Sequence, residues 1–358
     1  MKIVYTLSGG AAYGYAHVGV LKYLEEQGLR PEGIAGTSMG AIVGGLYACG
    51  FRAVQIEQIA EQVRSIELLR LFFPSFPRGG IIDTDGIRDF FQGFVKDRKI
   101  EDLPVAYRAV AVDVETGSEV VFDRGPLIDG MIASMSIPGV FKPYWYHGRE
   151  LVDGGVVNNL PWDVAEELGD THVVVNVAPR RGYTEHGRVF SSEILGEVES
   201  NKKTPRSEEK KELSSGEEKN SGINEAFREH LFKLIEGIKK RENAIPFKDM
   251  VSSMNRSQGK KGEHSSLPEI ISKMMAIIHT GTKMPSRAQM KNMLYLHPDV
   301  RKFNLNDFHK AEEIIRIGYE TARGDADFQK KLEKLLKKKH SAEISPIEGR
   351  ILSEFSGS

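Results

Sequence analysis

An α/β fold, with a mostly parallel central sheet between helical layers and a helical C-terminal region, is what this sequence predicts. Three observations carry it. Short β-rich runs alternate with helical ones from Met1 to about Pro179. Two of the strand candidates pass through glycine-rich turns straight into apolar helices. A third, Val173 to Val177, reads as a buried strand.

Taken in order, Lys2–Leu7 is a β-rich run followed by the turn Ser8-Gly9-Gly10-Ala11-Ala12-Tyr13-Gly14. A helix follows, with Ala16, Val18, Val20, Leu21 and Leu24 apolar and Lys22, Glu25, Glu26 and Gln27 polar. Residues 33–36 end a second short strand, and Gly36-Thr37-Ser38-Met39-Gly40 turns into the small, apolar helix Ala41–Cys49. Phe51 to Lys99 is more helical, with apolar clusters at Leu68–Phe73 and Phe90–Phe94 that serve either as core or as the wall of an acyl pocket. Further strand candidates are 105–113, 119–123 and 172–178. Sheets of this kind gather their functional groups at the carboxyl ends of the strands.

Past Arg180 the composition changes. Residues 180–265 form a charged, partly flexible insertion, in which Glu199 to Ser221 has almost no apolar residue to bury. Within it, 224–241 places Phe227, Leu231, Leu234, Ile235 and Ile238 at helical spacing. Residues 266–340 read as C-terminal helices that pack on or cap the core, and 341–358 as a flexible tail.

Composition limits the chemistry. The chain has 358 residues and a formal net charge of −1, which argues against nucleic acid as a partner. Its one cysteine, Cys49, permits no disulfide framework and no cysteine metal site. The histidines are scattered and Asp83 and Asp85 resemble a turn, so the chemistry is expected to need neither metal nor cofactor. With no long apolar run and no leader-like N-terminus, a cytoplasmic location is expected. Two basic amphipathic segments, 224–241 and 329–340, can lie on an anionic membrane surface, or be solvated helices with a packed stripe.

The turn at Ser38 carries the strongest chemical signal. Glycines at 36 and 40 leave room for a sharp strand-to-helix turn that presents a serine hydroxyl at a helix N-terminus. The earlier glycine turn points backbone N–H groups at an anion, and beside a nucleophile that anion is an oxyanion. As a dinucleotide loop it fits poorly, because Ala11 stands where a glycine is needed and no acidic residue follows at the required distance. Asp153, on the turn Asp153-Gly154-Gly155, can accept the serine proton, although an Asp-Gly-Gly turn is also common without any such role. A Ser–Asp–His triad with His172 or His186 is the rival. It places the elbow after several strands, whereas here one strand–helix unit precedes Ser38. His17 and His172 then read as structural.

These three segments together resemble the patatin-like phospholipases, lipid acyl hydrolases that use a Ser–Asp dyad. The likeness extends to Tyr15-Ala16-His17-Val18-Gly19-Val20-Leu21, to Ala133–Pro143 and to Val152–Pro161, and covers Met1 to about Ala178 in order. It is fainter over Leu296–Tyr319. The resemblance implies a phospholipase or esterase in which Ser38 is the nucleophile and Asp153 the general base. Gly9, Gly10 and Ala11 would form the oxyanion hole, supported by Gly14, Gly36, Met39, Gly40, Gly154 and Gly155. It also implies a lipid ester substrate. The chain departs from the family at Ala11, where a third glycine is common, and at Tyr13, where a basic residue is common. An acyltransferase using the same acyl-serine and a non-catalytic lipid-binding scaffold are the alternatives.

Overall fold

The computed structural model describes residues 1–63, 84–138, 140–178 and 284–355. The Leu68–Phe73 cluster, the 224–241 helix, the charged run at 199–221 and His186 therefore lie outside the described residues. Among the described residues, eight strands form one sheet. They are β1 (Ile3–Leu7), β2 (Gly33–Thr37), β3 (Ala106–Asp113), β4 (Glu119–Phe122), β5 (Tyr144–Tyr146), β6 (Arg149–Asp153), β7 (Thr171–Val175) and β8 (Leu294–Leu296). Their order is β5-β6-β3-β2-β1-β7-β8, with β4 also on β3. The run β3-β2-β1-β7-β8 is parallel throughout, while β4, β5 and β6 add antiparallel pairs at one end.

Helices cover both faces, as the strand composition requires. On one side lie α1 (Tyr15–Glu26), α2 (Met39–Ala48) and, after α3 (Ala53–Val63) and α4 (Asp85–Val95), α5 (Leu127–Met135). A Cβ placed on Gly44 of α2 would touch Ile34 and Leu7, and one on Gly130 of α5 would touch Phe122 and Ala109. On the other side, Val164 and Ala165 of α6 (Trp162–Glu166) pack with Val4, Ala35 and Val110. Each strand alternates between these two faces. Phe90, Phe91 and Phe94 of α4 are buried and meet edge-to-face, so they are core. Cys49 is buried at the end of α2, and burial pushes its thiol up, as befits a structural residue.

The C-terminal elements continue as α7 (Arg287–Asn292), α8 (Ala311–Gly324) and α9 (Ala326–Phe355). Helix α8 lies directly on α1, and the contact is between backbones. A Cβ on Gly19 would sit 1.9 Å from the Ile315 carbonyl oxygen, and one on Gly318 1.9 Å from that of Ala16. Helix α9 runs from Ala326 to Phe355. Within α9, Leu332 (2% exposed) and Leu335 (7%) are buried in the protein. Leu336, the third leucine of the 329–340 stripe, is half-buried.

Candidate active site

The carboxyl ends of β1 and β2 and the end of β6 meet at one place, and the register explains how. Along one edge of β3, β2 runs up until Thr37 stands opposite Val110. Strand β4 occupies the other edge over the same stretch. Strand β6 then takes up the vacated edge from the opposite direction, ending with Asp153 opposite Ala111. The two chains therefore arrive head-on at neighbouring positions, about 3.3 Å apart along β3. Ser38 is the next residue after Thr37. Thr37 and Asp153, far apart in sequence, thus stand opposite adjacent residues of β3, with Ser38 just past the end of β2.

Ser38 itself holds φ 54° and ψ −124°, a conformation L side chains rarely adopt, and is only 3% exposed. The flanking glycines make this turn possible by close approach. A Cβ on Gly36 would lie 2.4 Å from the Gly40 carbonyl oxygen, and one on Gly40 2.2 Å from that of Leu7. The Ser38 N–H donates to Ser134 Oγ at 2.8 Å, and the Ser134 hydroxyl donates to the Val110 carbonyl at 2.6 Å. One buried serine on α5 thus ties the elbow to the strand that also aligns Asp153. The Ser38 carbonyl accepts from Ala41 and Ile42, so the hydroxyl-bearing residue caps α2 at its positive pole.

Asp153 is fully buried. Its N–H donates to the Ser136 carbonyl at 2.9 Å, and its Oδ1 accepts the Gly155 N–H at 2.7 Å. Gly154 is pressed against Val110, whose carbonyl oxygen would be 2.2 Å from any Cβ there. Gly14 has a comparable part on the serine side, where Met39 packs over it with Cγ 2.2 Å from a Cβ position.

The glycine turn after β1 lies alongside. A Cβ on Gly9 would be 2.2 Å from Asn159 Oδ1 and 3.1 Å from Ser38 Cβ, so the asparagine, the serine and the turn border the same small space. The structure corrects one expectation about this turn. Gly9 does not offer its N–H, which is donated to the Asn159 carbonyl at 2.9 Å. Ala12 donates to Leu305, and Tyr13 to Gly10. Among the described residues, the N–H groups of Gly10 and Ala11 make no hydrogen bond.

Peptide planarity aims those two amides. In a trans peptide the carbonyl and the following N–H point in opposite directions. The Gly9 carbonyl accepts from Asn159 Nδ2 at 3.3 Å and from the Ser8 hydroxyl at 3.1 Å, which orients the Gly10 N–H. The Gly10 carbonyl accepts from the Tyr13 N–H at 2.9 Å, which orients the Ala11 N–H. Ala11 takes φ 46°, so it occupies without a glycine's freedom a region that glycine occupies without strain. Two directed, unspent donors beside a serine are what a developing oxyanion requires.

The histidines divide as structural. His17 is fully buried in α1, and its Nε2–H donates to the Ser8 carbonyl at 2.8 Å, steadying the start of the turn. His172 stands opposite Val4, three residues below the Leu7–Val175 end of the sheet, and does not reach the elbow. Burial lowers the His17 pKa from 6.5 to about 4, against the weaker opposing effect of its bond to Ser8. Between those values the unfolded chain binds a proton that the folded chain refuses, so stability falls as pH drops from about 6.5 to 4. This one group is expected to remove up to about 3 kcal/mol across that window. Urea melts of wild type and His17→Gln at pH 7 and pH 4.5 measure it; an equal loss in both would assign the acid sensitivity to other groups.

Sequence reasoning did not single out Ser134, Asn159 or the Phe303–Leu305 segment. The first two are polar residues in otherwise apolar surroundings, which is the signal that could have found them. The third had none.

Comparison with known proteins adds the family. The model described as patatin-like phospholipase matches residues 5–166. Those residues are similar to a patatin-like phospholipase domain. An uncharacterised NTE family protein of Mycobacterium tuberculosis is 42% identical over 160 residues, 45% of this chain and 44% of the relative. The patatin-like phospholipase domain-containing protein 7 of Rattus norvegicus is 35% identical over 178 residues, 48% of this chain and 13% of the relative. The chain thus spans less than half the length of either. A match to the crystal structure of VipD from Legionella pneumophila spans 93% of this chain and 66% of that one, with 10% identity and a TM-score of 0.37. The patatin-like domain ends before β7 and before all the C-terminal elements. No helix among the described residues is long and apolar enough to cross a membrane.

Proposed function

We propose that the protein is a lipid acyl hydrolase that cleaves carboxylic esters through an acyl-serine. Ser38 Oγ attacks the ester carbonyl as Asp153 takes its proton. The carbonyl oxygen, now an oxyanion, is held by the Gly10 and Ala11 N–H groups, aided by the positive end of α2. Collapse expels the alcohol, which receives the proton from Asp153. Water then gives a proton to Asp153 and attacks the acyl-serine; collapse releases the acid and returns that proton to Ser38 Oγ. No step calls for a metal or a cofactor.

The observation that supports this reading is the meeting of β2 and β6 on one edge of β3, where Thr37 and Asp153 stand opposite adjacent residues and Ser38 follows Thr37, beside two amides unspent among the described residues. The patatin-like domain over the same residues supports it, and supports lipid esters as the substrate class. Incubating wild type and Ser38→Ala with a fluorophosphonate probe and a series of chromogenic esters of increasing acyl length tests it. Wild type is expected to be labelled and to hydrolyse esters with chelator present, and Ser38→Ala to do neither. Hydrolysis surviving in Ser38→Ala would refute the assignment. Transfer to an added alcohol in place of hydrolysis would indicate an acyltransferase.

A further inference from the structure

The two amides of the glycine turn that are unbonded among the described residues lie between two pinned points. Upstream, Asn159 holds both the N–H and the carbonyl of Gly9. Downstream, the anchor comes from a part of the chain far beyond the patatin-like domain. The Ala12 N–H donates to the Leu305 carbonyl at 3.0 Å, and the Tyr13 hydroxyl to the Phe303 carbonyl at 2.9 Å. Tyr13 is buried, and it is also the residue whose N–H orients the Ala11 amide.

The anchoring segment has its own brace. Asn304, between the two accepting carbonyls, gives its N–H to Asp307 Oδ2 at 2.9 Å, and Lys310 Nζ reaches the same oxygen at 3.2 Å. Asp307 is buried, so its carboxylate shapes the turn from inside. Phe308 then meets Tyr15 edge-on, with ring centres 6.0 Å apart. The segment is a strap whose two carbonyls grip the turn at adjacent residues. A grip at two adjacent points limits rotation of the intervening backbone, and a hydrogen-bond donor aimed away from its target loses most of its worth.

We propose that the Phe303–Phe308 strap is a positioning element of the active site, acting through Tyr13 and Asp307 to hold the Gly10 and Ala11 N–H groups on the oxyanion. The proposal rests on the acyl-serine reading. It gives Tyr13 a task other than charge, since its hydroxyl anchors the turn to the C-terminal region. Neither Tyr13 nor Asp307 is assigned a contact with substrate.

Tyr13→Phe, Asp307→Ala and the double variant, made in the full chain, test it by kcat, KM and hydrogen exchange at the Ala12 amide. Asp307→Asn is the reserve should Asp307→Ala fail to fold. Each single variant is expected to lower kcat about tenfold with KM within about twofold, because only the transition state carries the oxyanion. The double variant should fall no further than the weaker single one, since both act through one strap. Exchange at Ala12 should quicken in all three. Unchanged kcat with quickened exchange would overturn the proposal, as would losses that multiply. Should wild type show no Ser38-dependent hydrolysis, the acyl-serine reading fails by itself, and unchanged Ala12 exchange in the variants would separately refute the strap.

Discussion

Asp153→Asn is expected to lower kcat by roughly 10⁴-fold and leave the melting temperature within about 2 °C of wild type. The structural contacts of this residue survive the change. The Gly155 N–H can still donate to the amide oxygen, and the backbone N–H still reaches the Ser136 carbonyl. What disappears is the one group at the end of β6 able to take the Ser38 proton, and a neutral amide cannot replace it. Steady-state kinetics and a thermal melt on the same preparation check both halves. Activity within tenfold of wild type would move the base elsewhere, and with it the dyad.

Gly40→Ala is expected to cost about 3–5 kcal/mol of stability, roughly 10 °C in melting temperature, together with most of the activity. The new Cβ would lie 2.2 Å from the Leu7 carbonyl oxygen and 2.6 Å from that of Ser8. Both obstacles are backbone, so no side chain can swing aside. Relief requires the N-terminus of α2 to retreat from the end of β1, which pulls Ser38 away from the turn that carries the two amides. Gly324→Ala is the control, with nothing within 4 Å of its Cβ position, and should change stability by less than about 1 kcal/mol. A Gly40→Ala protein that melts like the control would show that the packing of α2 on β1 is slacker than these distances indicate.

The strands that follow one another locally were legible. The expected 2–7, 33–36, 105–113 and 119–123 appear as β1 to β4 within a residue at most ends, because buried parallel strands and the helices beside them leave distinct patterns. Strands β5 and β8, of three residues each, were not foreseen. Such short strands carry too little periodicity to register, and exist because β6 and β7 offer them an edge. The glycine turn after β1 was legible as a turn, but one of its three expected donors, the Gly9 N–H, is spent on the Asn159 carbonyl. Whether Gly9 is free depends on Asn159, a residue 150 positions away, and no local pattern encodes that bond.

Local chemistry alone determined that Ser38 sits in a strained elbow, because only Gly36 and Gly40 allow two backbones to pass so closely. It determined equally that Asp153 ends a strand on a glycine turn, and that a patatin-like arrangement of motifs runs through the first half of the chain. Tertiary structure decided the rest. It set β6 to descend the edge that β2 leaves free, brought the C-terminal strap onto Tyr13, and packed Leu332 and Leu335 of α9 into the core. The division has one physical cause. Turn and strand preferences act over a few residues and are written where they act, whereas register and donor occupancy are settled between segments that meet only when the sheet closes.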